Sequence, residues 1–88
     1  MYSAKELDAL LDVIAQYPNL RVIADDVYEH IRFDSESFAT PATVRPDLRD
    51  RILTVNAVSK AYAMTGWRLG YCGGNRELIK AMSIVQSQ

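Results

Sequence analysis

The decisive stretch of this sequence is VSKAYAMTGWRLGY, which occupies residues 58–71. It follows the apolar run ILTV at residues 52–55, which predicts a short buried strand. Lys60 is therefore expected just beyond a strand end, where α/β sheets bind their ligands. Arg68 follows after a turn at Gly66. We expect a primary amine and a guanidinium to face one pocket.

These two side chains have complementary chemistry. A lysine amine forms a Schiff base with a carbonyl compound. A planar guanidinium binds a phosphate through two parallel hydrogen bonds. Pyridoxal phosphate is an aldehyde that also carries a phosphate, and its enzymes hold it on a lysine. The pair Lys60 and Arg68 therefore indicates that cofactor.

The same stretch resembles the cofactor-lysine segment of the class I aminotransferases. The shared pattern is Ser-Lys at residues 59–60, a short run, and Gly-x-Arg-x-Gly-Tyr at residues 66–71. The wording NAVSKAYAMTGWR, residues 56–68, is most similar to bacterial aspartate aminotransferases. The resemblance implies an α/β fold: part of the large domain of a fold-type I pyridoxal-phosphate-dependent transferase. Its sheet would be mostly parallel with one antiparallel strand, and helices would cover the faces.

The resemblance also implies roles for five residues. Lys60 would hold the cofactor and, once freed, would act as general base and acid. Asp25 and Tyr28 match the family's Asp-x-x-Tyr motif: the carboxylate would bind the pyridine nitrogen, and the phenol would donate to the ring's phenolic oxygen. Arg68 would pair with the phosphate, and Ser59 would add a hydroxyl contact.

One position departs from the family pattern, and two residues also have simpler interpretations. Some relatives take a phosphate contact from a hydroxyl three residues before the lysine, where this chain has Ala57. Taken alone, Asp25 would be a helix cap or loop anchor, and Lys60 would be a solvated surface lysine. The two motifs together favour the cofactor roles.

Neighbouring residues are predicted to be structural. His30 has no partner at metal-ligand spacing, so we expect a structural histidine and no metal site. Asp26 and Glu29 are predicted to be solvated. Gly66 and Gly70 are predicted to permit the turn and close packing.

The first half of the chain predicts a helix, a strand and a loop. A capping-box pattern at residues 3–6 marks the start of a helix predicted over residues 4–16. The unbroken apolar run at residues 21–24 fits a parallel strand that is buried on both faces. Residues 35–43 are predicted to be loop, and residues 46–50 one helical turn.

The second half predicts two more strands and a helix. The strand at residues 52–56 is expected to be parallel to the first, because the intervening span is long enough for a crossover. Asp25 and Lys60 would then approach one ligand from adjacent strand ends. The strand at residues 69–73 should be antiparallel, because its connection is short. Asn75 is expected to cap a last helix.

Composition narrows the class of protein. The chain is 49% hydrophobic and 24% charged, which argues against disorder. A net charge of -1 gives no sign of a nucleic-acid surface. No apolar run approaches the ~20 residues of a membrane span. The single cysteine, Cys72, fits a reducing compartment, and we expect a cytoplasmic protein.

Length limits the expected activity. Members of the resembled family are several times longer than 88 residues. We therefore expect residues 1–88 to form part of the large, cofactor-binding domain of a homodimeric parent. The family's glycine-rich phosphate loop, its Asn-Pro-x-Gly segment and its substrate-binding arginine are not in this sequence. The parent would transfer an amino group between an aspartate-like amino acid and a 2-oxo acid, whereas this chain alone is expected to be inactive.

Two alternatives stay open. The parent could be another enzyme of the same fold, such as a decarboxylase, a lyase or a synthase, although the wording AMTGWR at residues 63–68 favours the aminotransferase. The chain could also be a non-catalytic relic whose residues serve only packing. Three short strands and two helices would leave sheet edges and apolar faces exposed, so we expect marginal stability in isolation.

Overall fold

The computed structural model describes residues 1–33, 35 and 37–88. Its elements alternate between helices and short strands. In chain order they are α1 (Ala4–Ala15), β1 (Val22–Asp25), α2 (Pro41–Val44), a 3₁₀ helix (Pro46–Arg51), β2 (Ile52–Ala57), a 3₁₀ turn (Thr65–Trp67), β3 (Gly70–Gly73) and α3 (Arg76–Gln86). The predicted α/β class is confirmed.

The three strands form one mixed sheet in the order β1-β2-β3. β1 and β2 are parallel, with Asp25 opposite Val55. β3 is antiparallel to β2, with Ala57 opposite Gly70. Both predicted orientations are confirmed, and they follow from connection length: α2 and the 3₁₀ helix lie between the parallel strands, whereas the link to β3 is too short for a helical crossover.

The core lies between α1, α2, the 3₁₀ helix and the sheet. Leu11, Leu48 and Ile52 form its buried cluster, and Ile14 and Val22 pack against it. Burial of an aliphatic side chain of this size contributes about 1.5–3 kcal/mol. A few such residues from four separate elements therefore hold the helices on the sheet.

Both ends of α1 are stabilised by hydrogen bonds. The predicted capping box is confirmed: the Ser3 hydroxyl accepts from the Glu6 N–H at 3.3 Å, and the Ser3 N–H donates to the Glu6 carboxylate at 2.8 Å. At the other end, the Arg51 guanidinium donates to the carbonyl of Ile14 at 2.6 Å and to that of Tyr17 at 2.9 Å. The residue that precedes β2 thus holds the end of α1.

The segment between β1 and β2 departs from the sequence predictions. Pro41–Val44 is a short helix rather than loop, because Pro41 occupies the first helical position, where its fixed φ favours a helix start. Glu36, which falls within the predicted loop, lies outside the described residues. Ile31 and Phe33, which lie between β1 and α2, do not belong to a strand.

The last helix is capped but not covered. The Asn75 side chain accepts from the N–H groups of Glu77 at 2.9 Å and Leu78 at 3.3 Å, as predicted. No residue of α3 is buried, and Val85 is 74% exposed. The predicted exposure of apolar faces is therefore confirmed, while marginal stability stays a prediction. Within the described ranges, no helix combines the length and apolar character needed to cross a membrane.

Candidate functional site

Parallel pairing brings the two sequence motifs to one edge of the sheet. β1 ends at Asp25, and the next residue, Asp26, donates its N–H to the carbonyl of Val55 in β2 at 2.9 Å. β2 ends at Ala57. Each strand is followed by a turn. We call residues 26–30, after β1, the post-β1 turn and residues 58–63, after β2, the post-β2 turn.

Asp25 and Tyr28 stand at the start of this edge. The exposed Asp25 carboxylate accepts the N–H of Val27 at 3.4 Å, which anchors the post-β1 turn. Tyr28 is 56% exposed. Asp25 and Tyr28 line the same open cavity, together with Asp26 and Glu29. The cavity is strongly acidic on this side, because three of these four side chains are carboxylates.

Lys60 meets Tyr28 across the gap between the two turns. The lysine Nζ lies 5.9 Å from the centroid of the Tyr28 ring, within the range of a cation–π contact. Lys60 is exposed, and Ser59 beside it is half-buried. The structure thus brings together two of the residues predicted for the site, which are 32 positions apart in the sequence.

Arg68 occupies a strained backbone position after the 3₁₀ turn. Its φ is 52°, in the left-handed region that residues with a side chain rarely adopt. The exposed guanidinium donates to the carbonyl of Thr65 at 3.4 Å. Because this bond lies within its own turn, the convergence of Arg68 with the Lys60 amine stays a prediction.

Two residues predicted to be solvated are partly buried. Asp26 is half-buried, and this burial raises the pKa of its carboxyl, with the charges of Glu29 and Asp25 adding to the shift. The Glu29 side chain is 28% exposed and accepts a hydrogen bond from Asn56. The prediction that both are solvated is wrong, because the post-β1 turn folds back against the end of β2.

Asn56 is the functional candidate that sequence reasoning missed. At 8% exposure it is the one buried polar side chain among the described residues. Its Nδ2 donates to Glu29 Oε1 at 2.7 Å, and its Oδ1 accepts the N–H of Ala57 at 2.8 Å. The available signal was a polar residue at the end of an otherwise apolar strand.

His30 extends the same set of contacts. Its Nε2 lies 3.3 Å from Glu29 Oε1, and its ring packs edge-on against Tyr62, with the ring centroids 6.0 Å apart. These partners agree with the structural role predicted for His30. Among the residues that the structure describes, no group of three potential metal ligands comes together.

Comparison with known proteins settles the family. The model for aminotransferase class I and II matches residues 1–88, the whole chain. The chain belongs to the class I and II aminotransferases. The resemblance seen in the sequence is therefore confirmed.

Named relatives of this aminotransferase chain include aspartate aminotransferases. The aspartate aminotransferase of Rhizobium meliloti is 60% identical over 87 residues, which are 99% of this chain and 21% of the relative. The probable aspartate/prephenate aminotransferase of Rickettsia prowazekii is 55% identical over 87 residues, which are 99% of this chain and 22% of that protein. The chain thus spans about one fifth of the length of the curated relatives it matches.

Solved aminotransferases share the fold of this chain. The crystal structure of the Rhizobium meliloti aspartate aminotransferase superposes with a TM-score of 0.96 at 59% identity, covering 99% of this chain and 22% of that one. The Thermus thermophilus aspartate aminotransferase with maleate gives 0.87 at 40% identity, covering 100% and 22%. The mixed sheet with its helices is therefore a part of the fold-type I aminotransferase architecture.

Proposed function

We propose that this chain is part of the cofactor-binding domain of an enzyme that transfers an amino group between an aspartate-like amino acid and a 2-oxo acid, with pyridoxal phosphate as cofactor. One observation carries the proposal: Lys60 stands over Tyr28 at the sheet edge where β1 and β2 both end. The relatives named above, which are aspartate and aspartate/prephenate aminotransferases, support the choice of reaction and substrate.

The chemistry of the residues present fits the proposed cofactor. The edge supplies an exposed primary amine from Lys60, a phenol from Tyr28 and an exposed carboxylate from Asp25. Arg68 adds an exposed guanidinium at the end of the following turn. These groups match the parts of pyridoxal phosphate. The amine suits its aldehyde, the carboxylate its ring nitrogen, the phenol its ring hydroxyl and the guanidinium its phosphate.

Each side chain has a task that its chemistry allows. Lys60 would bind the aldehyde carbon and later move a proton with its free amine. Asp25 would hold a proton on the pyridine nitrogen, because a nearby carboxylate favours the cationic ring. Tyr28 would orient the ring through its hydroxyl, and Arg68 would hold the phosphate. When bound, the cofactor supplies an electron sink for the substrate's Cα.

We also propose that the whole enzyme is a cytoplasmic homodimer. The resemblance to the class I aminotransferases supports the dimer. The single cysteine, Cys72, which is half-buried and unpaired, supports a reducing compartment. Sedimentation of the whole enzyme tests the dimer, because a monomer that retained full activity would contradict it.

Covalent capture of pyridoxal phosphate tests the role of Lys60. The chain is mixed with the cofactor, reduced with borohydride, digested and examined by mass spectrometry. We expect the cofactor on the peptide that contains Lys60 and its loss in Lys60→Ala. The matched control is Lys80→Ala, which removes an exposed lysine of α3. Equal labelling of Lys60 and Lys80 in a folded chain would show that Lys60 is an ordinary surface amine.

A chimaera tests the catalytic part of the proposal. Residues 1–88 replace the matched segment of the Rhizobium meliloti aspartate aminotransferase, which is 60% identical to this chain. We expect the chimaera to transaminate aspartate, and Lys60→Ala to lower its kcat at least ~100-fold, since positioned acid–base groups contribute about that much or more. A chimaera that stays active without Lys60 would exclude the proposed role.

A further inference from the structure

Three consecutive residues of the post-β1 turn contact the segment that carries Lys60. Tyr28 lies under the Lys60 ammonium. Glu29 accepts a hydrogen bond from Asn56. His30 packs edge-on against the ring of Tyr62. Residues 28–30 of the post-β1 turn are therefore joined, side chain to side chain, to the post-β2 turn and to the end of β2 that leads into it.

The middle contact of the three is the one that is best shielded from water. Asn56 is 8% exposed, while Tyr28 and Tyr62 are 56% and 59% exposed. A buried amide without partners is destabilising, so an apolar side chain would be the simpler occupant of this position. Asn56 instead uses both ends of its amide: the oxygen holds the N–H of Ala57, and the nitrogen reaches Glu29.

Glu29 is arranged to receive that amide. Its Oε1 lies 2.7 Å from Asn56 Nδ2 and 3.3 Å from His30 Nε2, so a single carboxylate oxygen meets both groups. A hydrogen bond to an ionised acceptor is about twice as strong as a neutral one. Glu29 directly follows Tyr28, and Asn56 lies on the strand that leads to Lys60. The Asn56–Glu29 bond therefore links the segment that carries Tyr28 to the strand that leads to Lys60.

We infer that the Asn56–Glu29 hydrogen bond is a positioning contact that holds the post-β2 turn against the post-β1 turn, so that Tyr28 and Lys60 face each other. Neither residue touches the reacting atoms; both act through the two that do. The consequence for catalysis rests on the proposed function, whereas the geometric claim concerns only the chain itself.

The test is to exchange the amide and the carboxylate between positions 56 and 29. Asn56→Asp places a carboxylate against Glu29 and removes the donor. Glu29→Gln keeps an acceptor oxygen but not its charge, so it should weaken the bond less than Asn56→Asp does. The double variant Asn56→Asp with Glu29→Gln restores the bond in the opposite direction, because the new amide donates to the new carboxylate. Circular dichroism of all variants checks that the sheet and helices persist.

The readout is the proximity of Lys60 and Tyr28, measured in the full 88-residue chain by nuclear Overhauser effects between the lysine Cε protons and the tyrosine ring. We expect Asn56→Asp to lower the population with the two side chains in contact about tenfold, because a charge-assisted hydrogen bond is lost. Recovery in the double variant supports the inference. An unchanged signal in folded Asn56→Asp overturns it and assigns the pair to stability alone.

Glu29→Ala decides the question if Asn56→Asp does not fold. Glu29 is partly exposed, so its truncation leaves the core intact. Loss of the Lys60–Tyr28 signal in folded Glu29→Ala supports the inference, and retention overturns it. Capture of pyridoxal phosphate is measured in parallel. If neither the unmodified chain nor the chimaera captures the cofactor, the proposed function fails, while the proximity data still decide whether this pair positions the turns.

Discussion

The ammonium of Lys60 lies 5.9 Å from the centre of the Tyr28 ring, although the two residues belong to different turns. Parallel pairing of β1 and β2 makes this contact possible, because it sends both turns out from the same sheet edge. A cation over an exposed aromatic ring gains only about 0.5–1 kcal/mol. The contact is therefore weak enough to be exchanged for a ligand.

Two substitutions of Tyr28 distinguish the role of its ring, which contacts Lys60, from the role proposed for its hydroxyl, which is to bind the cofactor. A ring beneath Lys60 should shift the lysine Cε protons upfield, and this shift should persist in Tyr28→Phe, which keeps the ring. In Tyr28→Leu that shift should disappear. Both are measured by NMR. With pyridoxal phosphate added, the NMR signals of Tyr28→Phe should differ from those of the unmodified chain. Only then does the tyrosine hydroxyl have an oxygen of the cofactor ring to which it can donate. An effect of Tyr28→Phe without cofactor would contradict this division.

Removal of the Arg51 guanidinium should weaken the attachment of α1. Arg51 donates to the carbonyl of Ile14, in the last turn of α1, at 2.6 Å and to that of Tyr17, just beyond the helix, at 2.9 Å. We expect Arg51→Met to lower the free energy of unfolding by about 1.5 kcal/mol or more. Urea denaturation measures the change. Arg49→Met, an exposed position in the same 3₁₀ helix, should cost less than ~0.5 kcal/mol.

Asp26 should make the chain less stable as pH rises. Burial raises the pKa of its carboxyl in the folded state, whereas the unfolded chain has the ordinary value of 3.8. The folded state therefore binds the proton more tightly, and stability is lost as pH rises from 3.8 through the raised pKa. Asp26→Asn should raise the melting temperature near neutral pH. The gain should vanish below about pH 3.8; a gain that does not change with pH would contradict this cause.

Asp47 should show the opposite pH dependence. The guanidinium of Arg45 hydrogen-bonds to it at 2.9 and 3.0 Å and holds the pKa of the carboxyl below its ordinary value of 3.8. Its contribution to stability is then present above pH 3.8 and is lost as pH falls through the lowered pKa. Asp47→Asn should be destabilising at neutral pH and neutral in strong acid. Added salt should reduce the effect, because both groups lie near the surface. Thermal melts at two salt concentrations measure it.

Local features of the fold could be predicted from the sequence because their causes are local. The capping box at Ser3 and the Asn75 cap involve groups within three residues of each other. The antiparallel direction of β3 followed from the length of one connection. By contrast, α2 formed where the composition indicated loop, since Pro41 starts a helix whose residues then pack against the core.

The site was only partly predictable for a related reason. Motifs placed Asp25, Tyr28 and Lys60 near one sheet edge, because strand ends follow from hydrophobic runs. The bond between Glu29 and Asn56 joins residues 27 positions apart, and no local pattern marks it. Burial of Glu29 depends on how the post-β1 turn folds back, which is a property of the tertiary structure rather than of the turn sequence.

Glycine substitutions should show where backbone space is limited. A Cβ added at Gly74 would lie 2.9 Å from the carbonyl oxygen of Ile52 and 3.1 Å from a methyl of Leu53, so backbone would have to move. At Gly66 an added Cβ meets nothing within 4 Å, and its φ is not positive, so neither space nor backbone conformation requires a glycine there. The left-handed backbone of this region belongs instead to Ala63 and Arg68.

We therefore expect Gly74→Ala to lower the free energy of unfolding by about 1–3 kcal/mol, the usual cost of overpacking. Gly66→Ala should be neutral or stabilising by up to ~1 kcal/mol, because it restricts only the unfolded chain. Urea denaturation of the two variants measures both changes. Because the strain at Gly74 would act on the start of β2, the strand that carries Asn56, Gly74→Ala should also weaken the Lys60–Tyr28 contact. Equal stability of the two alanine variants would contradict the close approach of Gly74 to Ile52.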